Sequence, residues 1–241
     1  MSSFTKIRQR AASRKGGETM LQNLLGDAPD NAALADRTDD RFLAAMAERV
    51  FSAGFVWKVI RDKWPGFEEA FLGFEPKALL FQPEDFWHDR ASDRRIVRNG
   101  AKIKSVRDNA AFVDSESAKH GSFGNFLAEW PAGDQAGLLA YIAKNGSRLG
   151  GMTGQYFLRW VGWDAYVLSK DTVTAMRDGG LDIAENVTSR RDMARVQQQM
   201  NEWKAQSGLP YTHISRILAF SVGENYDPET IIQRRGGGDQ E

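Results

Sequence analysis

The chain contains no cysteine. Disulfides, cysteine-ligated zinc, iron–sulfur clusters and a thiol nucleophile are therefore all excluded. Histidine is scarce too: His88, His120 and His213 are the only three in 241 residues. They are scattered and not at ligand spacing, so no metal site is expected, and no motif asks for a cofactor. An excess of one charge is also missing, with 32 Lys and Arg against 32 Asp and Glu. A neutral total still permits a basic patch balanced by acid elsewhere. No apolar run reaches the roughly 20 residues of a membrane span, and no signal peptide is visible. A soluble, cytoplasmic chain with no membrane partner is expected. Strand-like alternation beyond four residues is hard to find.

Helical periodicity, by contrast, runs through the chain. Leu43, Met46, Ala47 and Val50 fall at i, i+3, i+4 and i+7. Similar stripes are Ile103, Val106, Ala110 and Val113, then Met193, Val196, Met200 and Trp203, then Ile214, Ile217, Leu218 and Val222. Stop signals fit them: Trp64-Pro65-Gly66, Gly179-Gly180, Gly208-Leu209-Pro210 and Gly223. The spacing predicts an all-α, compact fold of about ten short helices. Residues 1–40 are the most polar and read as a mobile arm with one short helix around Met20–Leu25, against the alternative of a basic arm that touches phosphates. In it Lys6, Arg8, Arg10, Arg14 and Lys15 precede an acidic stretch holding Asp27, Asp30, Asp36, Asp39 and Asp40. Residues 41–223 read as one helical domain, and 224–241 as a flexible tail.

The most specific local feature runs from Tyr141 to Phe157. A helix ends near Asn145-Gly146, the turn Leu149-Gly150-Gly151-Met152-Thr153-Gly154 follows, and a second helix runs to about Gly162. Such glycines let backbone N–H groups approach an oxyanion, and the second helix adds favourable dipole potential. Lys144, Arg148 and Arg159 are flanking cations. A tight corner that only permits close helix packing explains the same residues equally well.

The hairpin, the helix after it and the segment Trp163 to Asp171 resemble the helix-hairpin-helix DNA glycosylase superfamily. Leu149, Gly151 and Met152 match that hairpin, while Gly150 replaces its proline and Thr153 its second glycine. Asp171 falls where the superfamily's catalytic aspartate would. Gln155 stands where bifunctional members carry a lysine, which implies a monofunctional enzyme. Three further motifs occur in order: Ala53-Gly-x-x-Trp57, Phe71-x-x-Phe74-x-Pro76, and a helix carrying Ile96, Arg98, Lys102, Ile103, Asn109 and Ala110. Together with the hairpin they are similar to the 3-methyladenine DNA glycosylase I family over roughly residues 41–175. That resemblance implies a monomer that binds double-stranded DNA, flips out an alkylated purine, most typically 3-methyladenine, and hydrolyses its N-glycosidic bond at the nucleoid. It places Trp57 at the base-stacking position and Tyr156 near the pocket. Arg148, Gly150, Gly151, Thr153 and Gly154 would then meet DNA phosphate. The chain departs from the family in two ways. It lacks the cysteines of the family's structural zinc, and Arg49 occupies the position of its base-reading glutamate. Glu48 lies one residue away, about 100° around the helix.

The chemistry implied needs a carboxylate near C1′, because C–N cleavage builds positive charge on the sugar. Asp171 is the first candidate, with an N-cap of a helix starting at Thr172 as its alternative role. Glu48 is a second candidate against a solvated face residue, and Asp164 a third. Trp160 and Trp163 join Trp57 and Tyr156 as possible walls for a flipped base. Arg98, Lys102 and Lys104 read as a solvated face or a phosphate contact, and Ser215-Arg216 likewise. His213 reads as structural. Three functions stay open: a glycosylase for an alkylated or other damaged base, a DNA-binding protein without catalysis, and an interaction module whose Gly-rich turn is only a corner.

Overall fold

A computed structural model describes residues 3–236 of the chain. Regular structure is helical throughout, with no strand among the described residues. In chain order the helices are α1 (Ser3–Arg14), α2 (Glu18–Leu25), α3 (Asp39–Ser52), α4 (Trp57–Asp62) and α5 (Trp64–Ala70). Then come α6 (Pro76–Leu80), α7 (Glu84–Arg90), α8 (Gly100–His120), α9 (Phe123–Glu129) and α10 (Gln135–Asn145). The last five are α11 (Met152–Val161), α12 (Lys170–Asp178), α13 (Arg190–Ser207), α14 (Tyr211–Ser221) and α15 (Pro228–Gly236). The all-α expectation is borne out, but the number of helices exceeds ten. Elements such as α4 and α6, with 6 and 5 residues, are too short to show an apolar stripe.

The chain divides into two compact units, Asp30–Trp163 and a second made of Met1–Pro29 with Asp164–Glu241. In the first, α3 is buried nearly all round: Phe42, Leu43, Met46, Val50 and Phe51 are within the core, as is Arg49. A helix apolar on every face is an interior helix. The long helix α8 packs across it. Asn99 caps α8 by accepting from the Lys102 amide, and Gly121, at φ +84°, closes it in the left-handed conformation. Asp39 anchors the start of α3, accepting from Phe123 N at 2.9 Å and from Ser117 Oγ at 2.5 Å. Trp64 stacks on Phe67 and Phe74 with centroids 5.4 Å from each. The Phe71-x-x-Phe74-x-Pro76 motif is a left-handed corner, with φ +52° at Leu72, +65° at Gly73 and +61° at Phe74. Positive φ at two non-glycines is costly. Burial of Phe74 and the hydrogen bond from Arg41 Nη2 to Gly73 O, 2.7 Å, hold it.

The second unit overturns the mobile-arm expectation for most of residues 1–40. Phe4, Ile7, Ala11, Leu21 and Leu25 are buried in one core with Met176, Val196, Trp203, Ile214, Ile217 and Leu218. Each large apolar side chain so buried contributes about 1.5–3 kcal/mol. The charges at 6, 8, 10, 14 and 15 hid a 4-7-11 apolar stripe. Those cations serve the fold: Arg14 donates to the carbonyls of Phe220, Val222 and Gly223 at 3.0, 3.2 and 2.7 Å. Buried Lys15 donates to Asn225 Oδ1 at 3.0 Å and Tyr226 O at 2.8 Å. The boundaries at 41 and 223 therefore fall elsewhere, near residues 30 and 164. Part of the expected tail is helix α15, and residues 237–241 lie outside the described residues.

Candidate functional site

Helices α10 and α11 form the hairpin. Its turn is clamped from α8 by buried Asn109, whose Oδ1 accepts from Ser147 N at 2.7 Å and whose Nδ2 donates to Ser147 O at 3.1 Å. The asparagine of the third sequence motif thus fixes the hairpin backbone. Arg148 and Gly151 take left-handed conformations, φ +61° and +59°, on either side of fully buried Leu149. Arg148, Gly150 and Gly151 are exposed and Thr153 is half-buried. Gly154 is buried, and a Cβ there would sit 2.3 Å from Leu149 O. Its lack of a side chain permits the close packing of the turn on α11. No side chain caps α11 at Gly151. The first amides of α11, the helix dipole and exposed Lys144 and Arg148 together suit an anionic oxygen.

The same unit holds an aromatic slot. Trp57 opens α4 and Trp160 lies in the last turn of α11; both are half-buried. Lys102 sets the turn before Trp57. Its Nζ donates to Phe51 O at 3.1 Å and Ala53 O at 2.7 Å, at the end of α3, and lies 4.5 Å from the Phe55 ring centre. Burial lowers its pKa, with the nearby Arg148 charge adding to the effect. Lys102 is a buried C-terminal cap of α3, neither a solvated nor a phosphate-facing lysine. Lys104 is exposed and paired with Asp108.

Arg49 fills the slot. Its Cζ lies 4.4 Å from the Trp57 ring centre and 4.1 Å from that of Trp160, and its side chain is 3% exposed. Glu48 Oε1 lies 2.8 Å from Nη2, forming an ion pair. Nε has no hydrogen-bond acceptor. Burial pulls the guanidinium below its ordinary pKa, opposed by the charge and hydrogen bond of Glu48 and, less, by Tyr156. An arginine stays charged even so. Half-buried Glu48 also lines a cavity of about 340 Å³ walled by Ala44, Ala45, Trp64, Trp160, Arg37 and the Arg41–Glu68 ion pair. It is thus not a merely solvated residue. From sequence, Arg49 was visible only as a missing glutamate; its stacking was not.

In the other unit Asp171 is the second residue of α12 and is half-buried, without a hydrogen bond or ion pair among the described residues. The helix is capped by Ser169, whose Oγ accepts from Thr172 N at 3.2 Å, so Asp171 is not the cap. A Cβ on Gly223 would lie 2.5 Å from both Asp171 oxygens, so glycine is what leaves the carboxylate its space. Asp164 is engaged, accepting from Lys204 Nζ at 2.8 Å and Thr212 N at 2.9 Å. Ser215 accepts from Val167 N and Arg216 donates to Leu25 O, so neither is a free phosphate contact. His213 is buried with Nε2 3.2 Å from Asp27 O, as a structural histidine. Trp163 is fully buried and donates to Leu127 O at 3.1 Å, which removes it as a wall for a base.

Residues 34–138 match the family described as methyladenine glycosylase. The resemblance drawn from the motifs is borne out. No curated protein matches the chain. Among solved structures, a Staphylococcus aureus 3-methyladenine DNA glycosylase I is 21% identical over 52% of this chain and 77% of its own, with a TM-score of 0.46. A second 3-methyladenine DNA glycosylase I is 19% identical over 56% of this chain and 82% of its own, with a TM-score of 0.46. A Methanocaldococcus jannaschii 8-oxoguanine glycosylase/lyase, solved with DNA containing 8-oxoguanine, covers 89% of this chain and 96% of its own. At 10% identity and a TM-score of 0.51 it shares the fold.

Proposed function

We propose that this protein is a monofunctional DNA glycosylase that binds duplex DNA and hydrolyses the N-glycosidic bond of a damaged purine. The observation that carries the reading is that one helix, α11, presents uncapped amides at its start and one wall of the indole pair at its end. A phosphate-holding hairpin and a stacking slot on one rigid element are what an enzyme that extrudes a base requires. Extrusion costs a few kcal/mol, least for a damaged base.

As the C1′–N bond breaks, its electron pair leaves with the base and positive charge builds on the sugar. The Asp171 carboxylate is the group proposed to stabilise that charge and to orient the water whose oxygen joins C1′. Gln155 stands where the resemblance puts the Schiff-base lysine of bifunctional members, so water is the proposed nucleophile. The protein is proposed to act as a monomer on chromosomal DNA in the cytoplasm. The resemblance makes 3-methyladenine the first base to test, although a buried arginine between the indoles opposes a cationic one. The filled slot also favours a second reading, a DNA-binding protein without catalysis.

The test is release of free base from duplexes carrying alkylated, deaminated or oxidised purines, wild type beside Asp171→Asn, with DNA affinity measured for both. Release lost in the variant with affinity retained supports the reading. Release by both removes Asp171 from the mechanism, and DNA binding with no release from any duplex selects the second reading.

A further inference from the structure

Resting on the glycosylase reading, we infer that Arg14 of helix α1 is a positioning residue for the Asp171 carboxylate, acting through the segment that ends at Gly223. Helix α1 lies outside the residues 34–138 that match the family, so the match assigns it no role. Three observations carry the inference. Asp171 has no hydrogen bond or ion pair among the described residues, so no polar partner fixes its oxygens. Backbone confines it instead: a Cβ on Gly223 would lie 2.5 Å from both oxygens, which sets the Gly223 Cα against the carboxylate. Arg14 in turn holds that backbone, its Nε donating to Phe220 O at 3.0 Å and its Nη2 to Val222 O at 3.2 Å and Gly223 O at 2.7 Å. Arg10, one turn earlier on the same face of α1, donates to Ser221 Oγ at 3.3 Å and lies 3.9 Å from Asp178 Oδ2, in the last turn of α12. Helix α1 thus grips both sides of the contact between Asp171 and Gly223.

The other role open to Arg14 is a cap that only satisfies carbonyls where α14 ends. Capping accounts for the bonds to Phe220 and to Val222, the C-cap residue. It does not account for the shortest of the three, to Gly223 O, which lies past the cap on the residue that walls the carboxylate. Gly223 sits at φ +68°, where glycine moves freely, so its peptide keeps one position only if its carbonyl is held. Arg14 makes no bond to Asp171 itself, so its effect on the reaction passes through Gly223. A carboxylate that stabilises charge at C1′ depends on placement, and a shift of about 1 Å costs on the order of 100-fold in rate.

The experiment measures single-turnover base release at saturating duplex for wild type, Arg14→Met, Asp171→Asn and the double variant. The duplexes carry alkylated, deaminated or oxidised purines, and the temperature is one at which circular dichroism shows each protein folded. Arg14→Met should release base roughly 10- to 100-fold more slowly with unchanged affinity for undamaged duplex, and should add no loss to that of Asp171→Asn. Arg14→Lys, which keeps the charge and loses the fork, should lie between, and it replaces Arg14→Met if that variant does not fold. A second measurement needs no substrate: the preference for a duplex with a cationic pyrrolidine abasic analogue over one with neutral tetrahydrofuran, which reports a carboxylate placed at the sugar. That preference should fall in the Arg14 variants as it does in Asp171→Asn. A lower melting temperature with wild-type release and wild-type preference means a cap alone; it overturns the inference and leaves the glycosylase reading standing, as does a loss that adds in full to that of Asp171→Asn. Wild-type protein with no release from any duplex and no preference for the cation overturns both.

Discussion

Lys102→Met separates two physical roles for one lysine. Lys102 is 6% exposed, and its ammonium donates to two carbonyls, Phe51 O and Ala53 O, where α3 ends. Hydrogen bonds from a charged donor are worth about 1.5–3 kcal/mol, and a cation at a helix C-terminus adds about 0.3–1 kcal/mol. Methionine keeps the apolar stem and so offsets part of the loss. The net cost should be about 2–4 kcal/mol, a fall in melting temperature of roughly 5–15 °C for a chain of this size. Helix circular dichroism followed through heat and urea measures it. The sign with pH is a second check. Folding lowers the Lys102 pKa from 10.5, so the unfolded chain binds more protons between the lowered value and 10.5. Wild-type stability relative to the variant must then rise as pH climbs through that window. Tyr141 and Tyr211, whose burial raises their pKa values, are common to both proteins and cancel. A phosphate contact would behave otherwise: stability unchanged, DNA affinity down, and the salt slope reduced by about one. That outcome refutes the capping argument.

Gly154→Ala places a Cβ 2.3 Å from Leu149 O, so the hairpin and α11 must part; a loss of about 1–3 kcal/mol and weaker, salt-dependent DNA binding are expected. Unchanged affinity in a salt titration would separate the hairpin from DNA. Gly223→Ala carries a Cβ 2.5 Å from the Asp171 oxygens at φ +68°. Single-turnover base release should fall on the order of 100-fold by misplacement while DNA affinity holds, and equal release would mean that Asp171 is not in the reaction. Asp93, drawn from 3.8 to about 2 chiefly by its hydrogen bond to Arg95, contributes stability above 3.8 that is lost as pH falls through about 2. With Arg95 half exposed the contribution is on the order of 1 kcal/mol. Urea melts of Asp93→Asn should match wild type at the acid end and fall below it at neutral pH.

Much of the first unit was legible because its chemistry is local. The stripe of α3, the Gly-rich hairpin and the Asn109 motif all sit within single elements, and periodicity reports such elements directly. The second unit was not, because its core joins residues 4–25 to residues 166–222. Nothing in a polar N-terminal stretch reveals a partner more than 140 positions away, and the cations at Arg14 and Lys15 looked solvated because their acceptors are backbone carbonyls near the other end. The same limit governed Lys102 and Asp164. A charged residue's partner is a tertiary fact, and charge patterning alone sees only a polar face.

Arg49 shows how narrow the boundary is between what sequence and structure each supply. The motif register placed a cation where the resembling family has a base-reading carboxylate, and the next residue, Glu48, has the carboxylate about 100° around the helix. A one-residue exchange on a helix moves a charge to another face. Here it sets a cation over two indoles and moves the acid to their flank, 2.8 Å from the arginine. Fold alone does not fix function, so what this arrangement admits is a property of the site and not of the scaffold.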